Sequence, residues 1–318
     1  MSGLWAPALL VVVLGGAYAV ALARRPAGRR AWGAARPLAW AAGVLVAAAA
    51  VSPPLVALAA QDHRAHMAQH LLLAMYAPLG LVVGAPVTLL LGSLRPPAAR
   101  RLVRVLRSGP VRVLTHPAVA AVPATGGLLV LYGTPLYRVT LSSPPVHALV
   151  LAHLLLAGWL WTWSVAAPDP VPGRPGTRVR LAVLVVAAGV HAWLAKHLYA
   201  GATRAGSDGA AAGPADHAHH AGAGTAAAVE PLTGHGAEAL REAARLMYYG
   251  GDVAELLLVV LVLLAWWRRP DRRAGAPQAS SGRRPTILST RFRGPTMLTA
   301  WYSRLSGGDP ATAARYSS

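Results

Sequence analysis

The sequence predicts an all-α fold, a polytopic membrane bundle of seven transmembrane helices with its N-terminus outside and its C-terminus in the cytoplasm. Three observations carry this. Hydrophobic residues make up 55% of the 318 and charged residues 13%, too little polar surface for a soluble globule. Apolar runs long enough to cross a bilayer recur along the chain. Arginines crowd alternate connections between those runs.

The runs fall at roughly 4–23, 37–58, 66–91, 113–134, 144–166, 180–200 and 243–267. Their apolar residues go all round instead of striping one side, as expected when lipid and neighbouring helices share the contacts. Alanine and glycine are abundant in them and allow close backbone approach. The first run has the form of a signal peptide, but its basic residues follow it and no small-residue cleavage site stands out. It is read as a helix.

Arg24, Arg25, Arg29, Arg30 and Arg36 follow the first run; Arg95, Arg100, Arg101, Arg104, Arg107 and Arg112 follow the third. Arg174, Arg178 and Arg180 follow the fifth, and Arg268, Arg269, Arg272 and Arg273 the seventh. The intervening connections hold little beyond Arg64, Arg138 and Arg204. The positive-inside rule then sets the orientation. Placed this way, the formal charge of +19 is explained by topology and anionic headgroups, and a nucleic-acid partner is not expected.

Residues 1–267 form the membrane domain and 268–318 a basic tail whose composition predicts disorder. Within the domain, residues 201–237 read as a flexible external loop rich in Gly and Ala, carrying His217, His219, His220 and His235. Cysteine is absent, so a soft metal would be held by imidazole, thioether or carboxylate. No glycine-rich phosphate loop and no Gly-x-Ser-x-Gly elbow occurs, and an enzyme is not expected.

The histidines are distributed unevenly. His63, His66 and His70 lie at the outer end of the third helix, their spacings of three and four turning them onto one face. The fifth helix offers His147 near the surface and His153 deeper; the sixth offers His197 near the surface and His191 deeper. Six residues separate the members of these last two pairs, about 9 Å of rise and about 120° of rotation, so neither pair can place both members in one small site. On the seventh helix Asp252 and Glu255 lie three apart below Met247, and acids within a span normally face a partner, water or an ion. Of twelve histidines only His116 falls on the cytoplasmic side. Imidazole is also at home among headgroups, and that ordinary explanation suits His147 and His197 best. His66 and His70, on one face with Met67 and Met75 nearby, read as ligands.

The run His66-Met67, Gln69-His70-Leu71-Leu72-Leu73, with Ala77-Pro78 and Gly84-Ala85-Pro86 beyond it, resembles the signature of the CtaG-type cytochrome c oxidase assembly factors tied to caa3-type oxidases. So do His147, His153, Gly158 and Trp163 on the fifth helix and Asp169-Pro170 after it. The resemblance covers about residues 40–267. Before the last helix "REAARLMYYGG" stands where that family usually has an acidic-glutamine-glutamine element, with Glu242 the nearest acid and Tyr248 and Tyr249 in the aromatic position. The resemblance implies a seven-span protein of the bacterial plasma membrane that matures the oxidase by helping copper reach it.

The residues and the resemblance converge on one expectation. Copper, with zinc as the main competitor, is held between the third, fifth and sixth helices by ligands drawn from His63, His66, His70, His147, His153, His191, His197 and Asp252. The partners are the lipid bilayer, an oxidase subunit that receives the ion, and an external copper donor. A copper permease and a haem-bearing electron-transfer protein are the alternatives.

Overall fold

The structure, a computed structural model, describes residues 5–26, 31–211 and 234–267 of the chain. Every regular element among them is helical. In chain order these are α1 (Ala6–Ala23), α2 (Ala35–Ala50), α3 (Pro53–Ala59), α4 (His63–Ser93), α5 (Pro96–Leu106), α6 (Gly109–Leu114), α7 (Pro117–Gly133), α8 (Leu136–Ser142), α9 (Pro144–Ala166), α10 (Thr177–Ala211) and α11 (Gly234–Trp267). Five are long and apolar enough to cross a membrane: α1, α4, α9, α10 and α11. The pairs α2–α3, bent by 50°, and α7–α8, bent by 79°, bring the number to seven if each is one span. These coincide with the seven apolar runs.

The bends have local causes. Ser52 precedes Pro53 and Thr134 precedes Pro135, and both are held extended (ψ 145° and 171°) because a following proline disfavours the helical region. α10 continues through Ala211 and α11 starts at Gly234, so the two ends of the segment expected as a loop at 201–237 are helical instead. The alanines in "AGATRAGSDGAA" support the extension of α10, since alanine is the strongest helix former. His217, His219 and His220, and the tail beyond 267, lie outside the described residues.

Small residues set how closely the spans approach. A Cβ on Gly80 of α4 would come within 2.6 Å of the Ala39 carbonyl and the Gly43 nitrogen of α2, and one on Gly43 within 2.6 Å of the Leu81 nitrogen. Backbone thus lies on backbone, the kind of contact on which helices associate in lipid. On its other side α4 meets α9. Pro78 supplies no N–H to the Ala74 carbonyl, and the helix widens into a π-turn over Leu72–Tyr76. Gly158 of α9 packs on that carbonyl, where any Cβ would collide with it.

Two apolar cores stack along the bundle. One gathers Met67, Leu71, Leu131, Tyr137, Leu194 and Met247; the other gathers Leu79, Trp161, Val165, Leu184, Leu258 and Val262. Outward-facing Val12, Leu45, Leu149, Leu156, Val185 and Leu256 remain exposed, as a lipid-facing surface requires. The short α5 and α6 bury no residue and carry Arg100, Arg101, Arg104 and Arg112, the composition of helices lying in a headgroup layer.

A polar clamp closes the end of the bundle where α4 and α9 finish. Asp169 accepts from the Val87 and Thr88 amides (3.2 and 2.8 Å), the Thr88 hydroxyl (2.5 Å) and the Trp163 indole (3.3 Å). It thereby caps the helical segment that restarts at Pro86 after left-handed Ala85 (φ 52°). Buried Arg180 donates to the Val165 carbonyl at 2.6 Å, and Arg174 to those of Ala167, Trp163 and Asp169.

Candidate metal centre

The opposite end of the same two spans holds the imidazoles. Asp62 starts α4: its carboxylate accepts from the Arg64 amide at 2.8 Å and takes the Arg64 guanidinium as well. Those bonds hold its carboxyl below the usual carboxylate range. Arg64 also reaches Glu242 of α11 at 2.8 Å, tying the first turn of α4 to the seventh span.

With the first turn fixed, helical spacing turns His66 and His70 inward, where both are almost fully buried (1% and 2% exposed). Their rings meet edge to face at 4.2 Å, and His147 from the first turn of α9 stacks on His66 at 5.3 Å. One ligand nitrogen from each of His66, His70 and His147 lies within 4.8 Å of the other two. Three nitrogens around one ion, with bonds of about 2.0–2.1 Å, stand about 3.4–3.6 Å apart. Closing the cluster onto a metal therefore takes side-chain adjustments of about an ångström.

Neighbouring groups set which nitrogen of each ring carries the proton. The Gln69 amide donates to the Ala50 carbonyl at 2.7 Å, so its oxygen faces the His147 Nε2 at 3.1 Å and that nitrogen must be the N–H. The Tyr132 hydroxyl donates to the Met67 sulfur at 3.6 Å, so its oxygen accepts from His70 Nδ1 at 2.8 Å. His70 then keeps its lone pair on Nε2. That nitrogen is buried, and so are both nitrogens of His66; among the described residues none of the three has a hydrogen-bond partner. The Ala59 carbonyl lies beside the His66 ring without meeting hydrogen-bond geometry. Leaving a buried polar atom unpaired costs about 1–3 kcal/mol. Buried polar atoms of this kind call for a partner, of which an ion and ordered water are the two candidates.

The eight residues nominated from the sequence divide on this geometry. His66, His70 and His147 come together, and His63 stands beside them, bonded through Nδ1 to the Tyr137 hydroxyl at 2.7 Å while Tyr137 also packs edge-on to His66. His153 is turned away, exposed, and bonded to the Pro123 carbonyl at 3.1 Å, as its six-residue offset from His147 requires. His197 is exposed and stacked on Trp193; Asp252 is exposed. His191 is buried elsewhere, facing Glu255. The sixth span therefore does not reach this cluster: α10 contributes Leu194 and Ala195 to the apolar core that includes Met67 and Leu71, and Tyr132 and Tyr137 of the bent α7–α8 pair stand beside the imidazoles. Gln69, Tyr132 and Tyr137 were not nominated. Gln69 carried a signal, an amide amid leucines; the tyrosines carried none, being ordinary residues near a span end.

A family model, the cytochrome c oxidase caa3 assembly factor (Caa3_CtaG), matches residues 16–269. The chain belongs to this family. Uncharacterized proteins of Mycobacterium bovis and Mycobacterium tuberculosis are each 31% identical to it over 189 residues, 57% of this chain and 29% of theirs. One of Mycobacterium leprae is 28% identical over the same length. The chain matches less than a third of the length of these curated relatives. No solved structure is significantly similar to it. The residues that carried the family resemblance sort by position: His66, Gln69, His70 and His147 build the cluster, whereas Pro78, Gly158, Ala85, Trp163 and Asp169 hold α4 to α9. Glu242, the nearest acid to the element that differs from the usual family pattern, pairs with Arg64.

Proposed function

We propose that this chain is a membrane-embedded assembly factor of cytochrome c oxidase that holds copper at the extracytoplasmic end of α4 and α9 and releases it laterally to an oxidase subunit. The observation that carries the reading is the convergence of His66, His70 and His147, with three buried ring nitrogens that have no hydrogen-bond partner among the described residues. Imidazoles with a thioether close by and no carboxylate in the group suit copper; zinc, which also takes three histidines, is the competitor that metal analysis distinguishes. Family membership supplies the recipient, and the alternation of arginines supports the outward placement of the cluster and residence in the bacterial plasma membrane. Three ligands at the mouth of a span favour exchange over permanent retention. The task needs only ligand exchange, so the chain works as a carrier and not as an enzyme.

The test is metal analysis of the detergent-purified chain alongside oxidase activity in the host. His66→Ala and His70→Ala should abolish copper at this site and lower oxidase activity, with partial recovery in added copper. His116→Ala removes an imidazole that caps α7 at the arginine-rich end and should leave metal content unchanged. A His70→Ala protein that keeps the wild-type copper stoichiometry and full oxidase activity would overturn the proposal.

A further inference from the structure

Below the imidazole cluster, between α4, α7, α9, α10 and α11, lies a second polar spot that the function above does not use. His191, 4% exposed, faces Glu255 across a small cavity whose wall also includes Met75. The remaining lining is almost wholly apolar, with Leu128, Leu154 and Trp161 among it. Free space of about 40 Å³ admits an ion or two to three waters but no organic ligand. Gly251 belongs to the construction, because the His191 ring occupies the place where its Cβ would stand.

The His191 Nδ1 and the Glu255 Oε1 are 3.4 Å apart, and among the described residues Nδ1 has no hydrogen-bond partner. That is too long for a good N–H···O bond, which runs about 2.7–3.2 Å. It is the separation of two ligands sharing one tetrahedral ion, about 3.4 Å for bonds of about 2.0–2.2 Å. An acid in the middle of a span is costly and needs a counter-charge. A monovalent cation bound by the Glu255 carboxylate, a ring lone pair of His191 and the Met75 thioether balances the charge of that carboxylate.

We infer that His191, Glu255 and Met75 form a second cation site for a soft monovalent ion, Cu(I) or its mimic Ag(I), one step deeper than the imidazole cluster. Sulfur marks the route between the two. Met67, whose sulfur takes the Tyr132 hydroxyl that also holds His70, packs in one core with Met247, and Met75 packs against that core while lining the inner cavity. Met75 follows His70 by five residues, about 7.5 Å of helix rise. Thioethers select Cu(I) over hard divalent ions. The outer cluster offers no carboxylate to a positive ion, whereas the inner site offers one, so a Cu(I) ion leaving water is better neutralised inside. The choice of Cu(I) rests on the function proposed above; the existence of the site does not.

The experiment is titration of the purified full chain with Cu(I) against a chromophoric chelator, with X-ray absorption of the bound copper. Wild type should take two ions. His70→Ala should keep one, with sulfur in its coordination shell, and His70→Ala combined with Glu255→Gln should keep none. Met75→Leu, a volume-conserving change that leaves packing intact, should keep two ions when the outer cluster is whole but lose the sulfur signal and weaken the inner site at least tenfold. The inner site is overturned if wild type saturates at one ion that Glu255→Gln and Met75→Leu leave unchanged. A His70→Ala protein that still binds both ions would instead refute the outer cluster.

Discussion

His66→Leu should make the metal-free protein more stable while ending metal binding at the outer cluster. His66 is 1% exposed and neither ring nitrogen has a hydrogen-bond partner among the described residues. Each such nitrogen costs about 1–3 kcal/mol in a buried place, and the one that carries the proton meets no acceptor in hydrogen-bond geometry among the described residues. Leucine fills a similar space and removes both polar atoms; its less regular fit against His70, His147 and Tyr137 takes back part of the gain, so the expected net change is about 1–3 kcal/mol in favour of the variant. The assay is the thermal unfolding midpoint of metal-free protein in one detergent, compared at a single scan rate because unfolding of such proteins is commonly irreversible. His66→Leu should melt a few degrees above wild type without metal, and below it once copper is added, since ligand binding stabilises only the form that binds. A metal-free His66→Leu protein less stable than wild type would refute the reasoning, because it would mean that the imidazole is satisfied where it stands and packs as structure.

Three other outcomes follow from the same geometry. Tyr132→Phe removes the hydroxyl that fixes the His70 tautomer and should weaken copper binding by about 10–100-fold, read by chelator competition, with little change in span packing. Asp169→Ala removes the acceptor of two amides, a hydroxyl and an indole, and should lower stability by about 2–5 kcal/mol while the protein that survives retains its copper stoichiometry. The Asp62 carboxyl is held below its unfolded value of about 3.9, so its stabilisation is complete above that value and fades as the pH falls through the lower folded one. The melting difference between wild type and Asp62→Asn should therefore be present at pH 6 and close as the pH drops below about 4; a difference that stays constant would exclude the ion pair as its source.

The spans were legible because lipid demands long apolar runs whatever the packing; the two bends at Pro53 and Pro135 were not, because an apolar run looks the same whether or not it bends. His66 and His70 were legible from a four-residue spacing. What the sequence withheld is rotation. Asp252 and Glu255 sit on one helix only three residues apart, yet Glu255 faces His191 and Asp252 is exposed. When apolar residues go all round a helix, no stripe says which side is inside, and a difference of about 60° decides it. His147 is a candidate ligand in the sequence whose shallow position equally suits a place among headgroups; α9 packs so closely on α4, through Gly158 on the Ala74 carbonyl, that the shallow imidazole reaches His66. Tyr137 was invisible for a different reason, since only the 79° turn after Gly133 brings α8 back over the cluster.

The two ends of α4 and α9 show opposite treatments of polar groups in one low-dielectric setting. At the Asp169 end the carboxylate meets amide, hydroxyl and indole donors, and arginines cover the carbonyls around it. At the histidine end Gln69 and Tyr132 bond the outward nitrogens of His147 and His70, while His70 Nε2 and both His66 nitrogens stay buried and without a partner among the described residues. The first arrangement is what a fold uses to become rigid. The second leaves polar atoms without partners among the described residues, which costs stability in the empty protein; on the function proposed above, that cost is recovered when an ion arrives. The proposed carrier gains from that imbalance. Had the imidazoles been fully hydrogen-bonded, an incoming ion would first have to break those bonds, and had a thiolate joined them, it would not leave.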